Sequence, residues 1–176
     1  MVSTQTSFDY KYSSIGDLVV VAKPDERSGN RVVSEILVDD EPLESTNRFW
    51  NSLYARYGFN KSFFKYFRHE EVFQRISEVE SNDRVRLCIH RDAESGESSL
   101  LAVSNPAKPV VRYADLAETL EKYDVADVRY SDGIVESTHS PRVGANSFDI
   151  GGDAFSNRFV MSTPVDGYGL PNIYLS

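Results

Sequence analysis

Runs of β-branched and alternating residues predict strands near both ends of the chain. Residues 18–22 and 31–38 are rich in valine and predict two strands separated by a turn-rich connector. Residues 1–14 are polar except for three alternating aromatics, a spacing that fits a short edge strand. Because terminal segments are often poorly ordered, we expect residues 1–14 to form a flexible arm.

Helical spacing of the apolar positions dominates the middle of the chain. Four segments show it: residues 49–57, 63–67, 72–79 and 113–123. Ser45 or Thr46 is placed to cap the first helix and Gly58 to end it, while Asn60 is placed to cap the second. The sequence therefore predicts three helices in close succession and a fourth further on.

The strand pattern returns after the third helix. Residues 84–91 and 99–104 flank a polar loop that suits a hairpin, and short strand-like runs alternate with glycine-rich turns over residues 126–175. This order predicts an α+β fold, with a mostly antiparallel sheet and a central group of three to four helices. We expect a single domain over residues 15–176. The chain stops inside a strand-like run, so we also expect it to be truncated from a longer protein.

Composition places the protein among ordinary globular domains. Of its 176 residues, 40% are hydrophobic and 26% charged, and the formal net charge is −8. The single cysteine, Cys88, excludes a disulfide framework and is expected to be a small buried residue. The longest apolar run is far below the ~20 residues of a membrane helix, and the amino terminus lacks a signal-peptide pattern. We therefore expect a cytoplasmic protein without membrane contact.

No catalytic motif is present in the sequence, so we expect no enzymatic activity, no catalytic residue and no cofactor. The three histidines lack partners at zinc-ligand spacing, and phosphate-binding, dinucleotide-binding and serine-hydrolase motifs are missing. Asp149 and Asp153 flank two glycines, and such a pair of carboxylates could hold Mg²⁺ or Ca²⁺. A β-turn explains the glycines more simply, so we assign no metal site.

Candidate binding residues are concentrated between positions 48 and 75. These 28 residues hold six basic and two acidic side chains, a local charge of +4 that leaves −12 for the rest of the chain, and ten aromatics. Single-stranded nucleic acid is bound by this combination, because cations follow the phosphates and rings stack on bases. The alternative is a set of core helices with solvated cations on their outer face. The predicted nucleic-acid contacts are Arg56, Tyr57, Lys61, Lys65, Tyr66 and Arg68.

The last third of the chain resembles a known family. Three short motifs carry the likeness: residues 148–153, 159–162 and 166–169. They resemble the Gly-Asp and Asp-x-Gly strand pair of the phage/plasmid-like family called domain of unknown function 932, and the helices and hairpin upstream occupy matching places. The resemblance covers about residues 40–176. It implies a role in the DNA metabolism of phages, plasmids and integrated elements, without catalytic residues that could be carried over.

The leading hypothesis is therefore an accessory module that binds nucleic acid, preferably single-stranded DNA. The alternative is an assembly or regulatory module that binds another protein or a second copy of itself and whose basic helices are merely solvated. A metal-dependent enzyme centred on Asp149 and Asp153 is a third and weaker hypothesis.

Overall fold

Strands account for more of the described residues than helices do. The computed structural model describes residues 6–24, 31–123, 125–140 and 147–175. The sequence pattern predicted one domain over residues 15–176, whereas contacts between residues divide the chain into two units. The larger unit is drawn from residues 4–110 and 166–168, and the smaller unit from residues 111–165 and 169–176.

A six-stranded sheet is the framework of the larger unit. Its strands are β1 (Thr6–Ser14), β2 (Val19–Pro24), β3 (Arg31–Val38), β4 (Glu41–Ser45), β5 (Arg84–Asp92) and β6 (Ser98–Ser104). The strand order is β1-β5-β6-β4-β3-β2, and only the β4–β6 pair is parallel. Residues 6–14, which fall within the expected flexible arm, thus form an edge strand that pairs with β5 along its whole length.

Helices pack on one face of this sheet. Helix α1 (Asn47–Tyr57) leads through a 3-10 helix (Lys61–Lys65) into helix α2 (His69–Val79), and a 3-10 turn (Ile15–Asp17) joins β1 to β2. The Thr46 hydroxyl accepts a hydrogen bond from the Phe49 amide at 3.1 Å, and Gly58 ends α1 with φ 74°, which confirms both predicted caps. The core between helices and sheet includes Phe49, Leu53, Phe73, Ile76, Ile36, Leu43, Leu87 and Leu100.

The opposite face of the sheet has a smaller apolar cluster. Successive strand residues point to opposite faces, so Cys88 lies on the other side from Leu87. Cys88, Leu101 and Ala102 are buried there against Phe8, Tyr10 and Tyr168. The predicted burial of Cys88 is confirmed. Burial raises the pKa of its thiol, so the sulfur stays protonated and unreactive at neutral pH.

The smaller unit contains one helix, α3 (Tyr113–Glu121), and six strands. These are β7 (Val125–Ser131), β8 (Ile134–His139), β9 (Ser147–Ile150), β10 (Asp153–Ser156), β11 (Phe159–Pro164) and β12 (Asn172–Leu175). Four of them form a sheet in the order β12-β11-β8-β7, and β9 and β10 form a separate hairpin. Gly151 and Gly152 turn this hairpin with φ 64° and 94°, which confirms the predicted β-turn.

The predicted fold class, an α+β domain with a mostly antiparallel sheet and a central group of three to four helices, is wrong. The structure is mixed α/β with three α-helices, and they do not form a central group. The second predicted helix is only a five-residue 3-10 helix, the geometry that short connectors commonly take. The fourth is α3, which belongs to the smaller unit, whereas α1 and α2 belong to the larger unit.

Candidate nucleic-acid interface

The predicted binding region folds as α1, the 3-10 helix and α2, and its cations and rings have different environments. Residues on the inner faces of α1 and α2 are buried in the core of the larger unit. Residues between the two helices are mostly exposed. Of the six predicted contacts, two are bound to a neighbouring carboxylate, three are exposed, and the side chain of Lys61 lies outside the described residues.

Arg56 and Tyr57 are held by Asp83. The Arg56 guanidinium donates from Nε and Nη2 to the two carboxylate oxygens at 2.9 and 3.1 Å, and the Tyr57 hydroxyl donates to Oδ2 at 2.7 Å. Hydrogen bonding from Arg56 lowers the pKa of Asp83, so the carboxylate is charged at neutral pH. Burial raises the pKa of Tyr57, which keeps its hydroxyl a donor. These two side chains join α1 to the start of β5.

Arg48, which also belongs to the basic stretch, is bound within the larger unit. Its guanidinium hydrogen-bonds both carboxylate oxygens of Asp166, from Nη2 to Oδ1 at 3.1 Å and from Nε to Oδ2. The same Nη2 donates to the backbone oxygen of Tyr168 at 2.6 Å, and the guanidinium carbon lies 5.0 Å from the centre of the Tyr168 ring. Asp166 is fully buried. Arg48 therefore holds residues 166–168 in place.

Several of the ten aromatics are core residues. The Trp50 ring stacks on His69 with centroids 4.8 Å apart, and its indole nitrogen donates to Ser45 Oγ at 3.1 Å. The Tyr54 hydroxyl hydrogen-bonds His69 Nδ1, and their rings are nearly parallel. Burial lowers the pKa of His69, so the ring is neutral at pH 7. These rings have no free face for a base.

The exposed part of the region is the connector between α1 and α2. We call residues 59–68 the aromatic segment. The Tyr66 side chain is 82% exposed, and Phe63 and Phe67 are 44% and 50% exposed. Lys65 and Arg68 are also exposed. The exposed residues Lys65, Tyr66 and Arg68 therefore lie close together in the chain, whereas Arg56 and Tyr57 are held by Asp83.

The geometry of the aromatic segment explains this exposure. Asn60 caps the 3-10 helix, its side chain accepting from the Ser62 amide at 3.1 Å, as predicted. The Phe63 carbonyl then accepts from the amides of both Tyr66 and Phe67 at 3.0 Å. The Phe59, Phe63 and Phe67 rings form a row, with successive centroids 5.7 and 6.4 Å apart. Phe59 packs against the core of the larger unit, whereas Phe63 and Phe67 are exposed.

The alternative of core helices implies that the apolar residues of segment 63–67 are buried, which is wrong for Phe63 and Phe67. It assumed α-helical spacing, under which both would share the inward face of an amphipathic helix. Phe49, Trp50, Leu53 and Phe73 follow that spacing and are buried, because α1 and α2 are regular helices. The signal available in the sequence was the short distance between Gly58, which ends α1, and the acidic first turn of α2.

The charge of the aromatic segment is positive. It contains three basic residues and no acidic residue. Among the described residues, no carboxylate lies within ion-pair distance of Lys65. Arg68 forms an ion pair with Glu70, in which Arg68 Nη1 and Glu70 Oε1 are 3.7 Å apart. Its backbone amide donates to Glu71 Oε2 at 2.7 Å, which satisfies the first turn of α2. Of the two cations of the segment whose side chains are described, Lys65 is thus available to a ligand and Arg68 is partly neutralised.

The other candidate sites give no comparable arrangement. Among the described residues, no group of three or more His, Cys, Asp or Glu side chains could hold a metal ion. Asp153 follows the Gly151–Gly152 turn and is exposed, and the side chain of Asp149 lies outside the described residues. Every helix in the described part of the chain is too short or too polar to cross a membrane.

Comparison with known proteins yields no match. No family model matches the chain, and no curated protein and no solved structure is significantly similar to it. The resemblance to domain of unknown function 932 therefore stays a prediction.

Proposed function

We propose that this protein is a non-enzymatic module that binds single-stranded nucleic acid through the aromatic segment. The observation that carries the proposal is the exposure of Tyr66, Phe63 and Phe67 in the same short segment as Lys65 and Arg68. We further propose that it acts in the cytoplasm as an accessory factor in mobile-element DNA metabolism, the role that its resemblance implies.

Stacking supplies most of the affinity in this proposal. An exposed aromatic side chain stacked on a base contributes about 1–3 kcal/mol, and it accepts any base because all bases have a π-face. Tyr66 offers the most open ring, and Phe63 and Phe67 offer partly open ones. Unpaired bases reach such rings readily, whereas bases in a duplex are already stacked. The surface therefore favours single strands.

Binding of a single strand also requires cations that contact its phosphates. Lys65 and Arg68 flank Tyr66 closely enough in the chain for phosphates of one short strand to reach both. With a net charge of −8, the remaining surface repels a polyanion, so contact is confined to the segment. We expect binding in the micromolar range at low salt and a strong loss of affinity as salt increases.

The test is fluorescence anisotropy of labelled oligodeoxythymidine at several salt concentrations. Tyr66→Ala should lower the affinity roughly tenfold, the loss of one stacked base. Tyr123→Ala is the matched control, since Tyr123 is another exposed tyrosine at the end of α3, and it should bind like the parent protein. No anisotropy change at micromolar protein and low salt would refute the proposal.

The salt dependence tests the cations separately. Replacing Lys65 and Arg68 by glutamine should reduce the slope of log K against log salt by up to about 1.4, two phosphate contacts at ~0.7 each. Replacing Lys122 and Arg129, which are exposed in the smaller unit, should leave the slope unchanged. An equal effect of both pairs would mean that any cation on the protein attracts the strand and that the aromatic segment has no special role.

A second candidate function is protein binding by the same surface. The observation that favours it is the apolar character of the Phe59–Phe63–Phe67 row, because exposed apolar clusters commonly mark protein interfaces. Sedimentation of the parent protein and of Phe63→Ser/Phe67→Ser over a concentration series separates the two. Concentration-dependent association that the substitutions abolish, without binding of the oligonucleotide, would favour the assembly module.

A further inference from the structure

The geometry points to a peptide-binding site at the opposite edge of the six-stranded sheet from β1. We infer that an extended basic peptide adds to the outer edge of β2 and places its cations against the carboxylates of α2. This site is separate from the aromatic segment and does not depend on the proposed nucleic-acid binding.

A groove of about 690 Å³ lies between β2 and α2. Leu18, Val19 and Val20 line one side, and Phe73, Gln74 and Ser77 of α2 line the other. Leu18 and Phe73 are nearly fully buried and form an apolar floor. The groove therefore offers what an extended peptide needs, an open channel beside a strand with an apolar base for alternate side chains.

β2 is the last strand of the sheet on this side. Its inner edge pairs with β3, and among the described residues no strand pairs with its outer edge. Val19 is 53% exposed, and residues 18–22 carry no charge. Proteins usually protect an edge strand with charged side chains or proline along it, because unpaired backbone groups attract other strands. Here Lys23, Pro24 and a register shift between Val21 and Ala22 protect the far end of β2, so the unprotected part of the edge is residues 19–21.

The carboxylates beside the groove indicate which kind of peptide can bind there. Glu70, Glu71 and Glu78 line the groove, and none of the described residues that line it is Lys or Arg. Glu70 Oε2 is buried and has no hydrogen-bond partner in the part of the chain that the structure describes. Arg68 and Arg75 approach Glu70 and Glu78 from the outside, at 3.7 and 2.9 Å. Gln74 Nε2 and Arg75 Nη1 donate to the two oxygens of Glu78. A carboxylate oxygen accepts more than one hydrogen bond, so a lysine or arginine supplied from the groove side adds a further contact.

The same charges argue against a second copy of this chain as the occupant. Pairing of β2 with β2 of a second copy would bring two sets of these glutamates together, and like charges at an interface oppose association. A basic peptide has the complementary sign. The partner class that fits is a lysine- or arginine-rich extended segment with apolar residues at alternate positions.

One end of the groove is held rigidly before any peptide binds. The Gly16 amide donates to the Ser81 carbonyl at 2.8 Å, and the Ile15 amide donates to the Asp83 carbonyl at 3.0 Å. A Cβ at position 16 would lie 2.9 Å from Ser81 Cβ, so glycine permits this close approach. These bonds fix the start of β2 against the end of α2. A preformed groove reduces the ordering cost of binding.

The experiment uses the full chain and three labelled, blocked peptides. The first alternates valine and lysine, the second alternates valine and glutamate, and the third is the first with N-methyl groups on alternate backbone amides. The first should bind, as measured by fluorescence anisotropy, and should slow amide hydrogen exchange in residues 19–22. The second should show no binding, and the third should lose most of its affinity because it cannot pair with β2. Equal binding of the first and third peptides would overturn strand addition, and no binding of the first would overturn the site.

Variants place the binding on this groove. Glu70→Gln/Glu78→Gln should weaken the binding of the valine–lysine peptide by roughly fivefold to tenfold, the effect of two partly exposed charge contacts. Glu94→Gln/Glu97→Gln removes two exposed carboxylates from the β5–β6 loop and should leave the affinity unchanged. Tyr66→Ala should also leave it unchanged, so failure here is distinguishable from failure of the nucleic-acid proposal. Equal losses in the groove and loop variants would show only non-specific attraction to the acidic chain.

Discussion

Arg48 and Lys65 belong to the same basic, aromatic-rich stretch, yet their surroundings have little in common. Arg48 is bound to the buried carboxylate of Asp166 and packs against the Tyr168 ring. Lys65 is exposed, with no described carboxylate in ion-pair distance. Arg48 therefore stabilises the fold of the larger unit, whereas Lys65 is available to a ligand.

A local excess of basic residues in the sequence is therefore not a measure of the positive charge that is exposed to a ligand. Of the cations in the stretch with described side chains, Arg48 and Arg56 are bound by Asp166 and Asp83, and Arg68 and Arg75 are paired with glutamates at the surface. The local charge of +4 therefore overstates the positive surface. What distinguishes the aromatic segment is the exposure of its rings beside Lys65.

The largest effect is expected where Arg48 meets Asp166. Asp166→Asn keeps the size of the side chain but leaves the Arg48 guanidinium without its charged partner. Because breaking a buried ion pair leaves an uncompensated charge, we expect a loss of about 3–5 kcal/mol in the free energy of unfolding. Urea denaturation of the larger unit measures it. Asp17→Asn, at an exposed aspartate of the same unit, should change stability little, and an equally small effect at Asp166 would show that Arg48 is not held as described.

A somewhat smaller loss is expected from Gly167→Ala. Gly167 has φ 82°, and a Cβ there would lie 2.6 Å from Ser104 Oγ and 2.9 Å from Arg86 Nη2. Backbone strain and this clash together should cost about 2–3 kcal/mol. Gly96→Ala is the matched control, because Gly96 has φ 69° and nothing within 4 Å of its Cβ position. The difference between the two variants isolates the close packing of residues 166–168, and identical losses would contradict it.

His69, the first residue of α2, should make the stability of the protein depend on pH. Burial lowers its pKa in the folded state, so the unfolded chain binds more protons below the usual value of about 6.5. Folding stability should therefore decrease as the pH falls from 7 towards 5. Thermal unfolding at a series of pH values should show a weaker decrease for His69→Gln. Parallel curves for the parent and the variant would mean that other groups cause the pH dependence.

The smallest effect on stability is expected in the aromatic segment. Tyr66→Ala removes a side chain that is almost entirely in solvent, so the free energy of unfolding should change by no more than about 0.5 kcal/mol. The same variant should lose much of its nucleic-acid affinity. A large loss of stability would contradict the contrast between the aromatic segment and the Arg48–Asp166 pair, because Tyr66 would then be a structural residue as Arg48 is.

Features set by neighbouring residues were predictable from the sequence. The caps of α1, at Thr46 and Gly58, and the turn at Gly151 and Gly152 depend only on side chains within a few positions. The hairpin of β5 and β6 and the burial of Cys88 follow from apolar runs around a short loop. The aromatic segment was misjudged, because α-helical spacing was assumed for residues 63–67, whereas Lys61–Lys65 is a 3-10 helix and Phe63 and Phe67 are exposed.

Local sequence is enough to predict the caps, the turns and the concentration of cations and rings between positions 48 and 75. Which of those cations can contact a ligand depends on tertiary contacts. The partner of Arg56 lies 27 residues away and that of Arg48 lies 118 residues away. Such pairings depend on how the sheet and the 166–168 segment come together, and no periodicity along the chain encodes them. The open edge of β2 is likewise a property of strand order, which local sequence leaves undetermined.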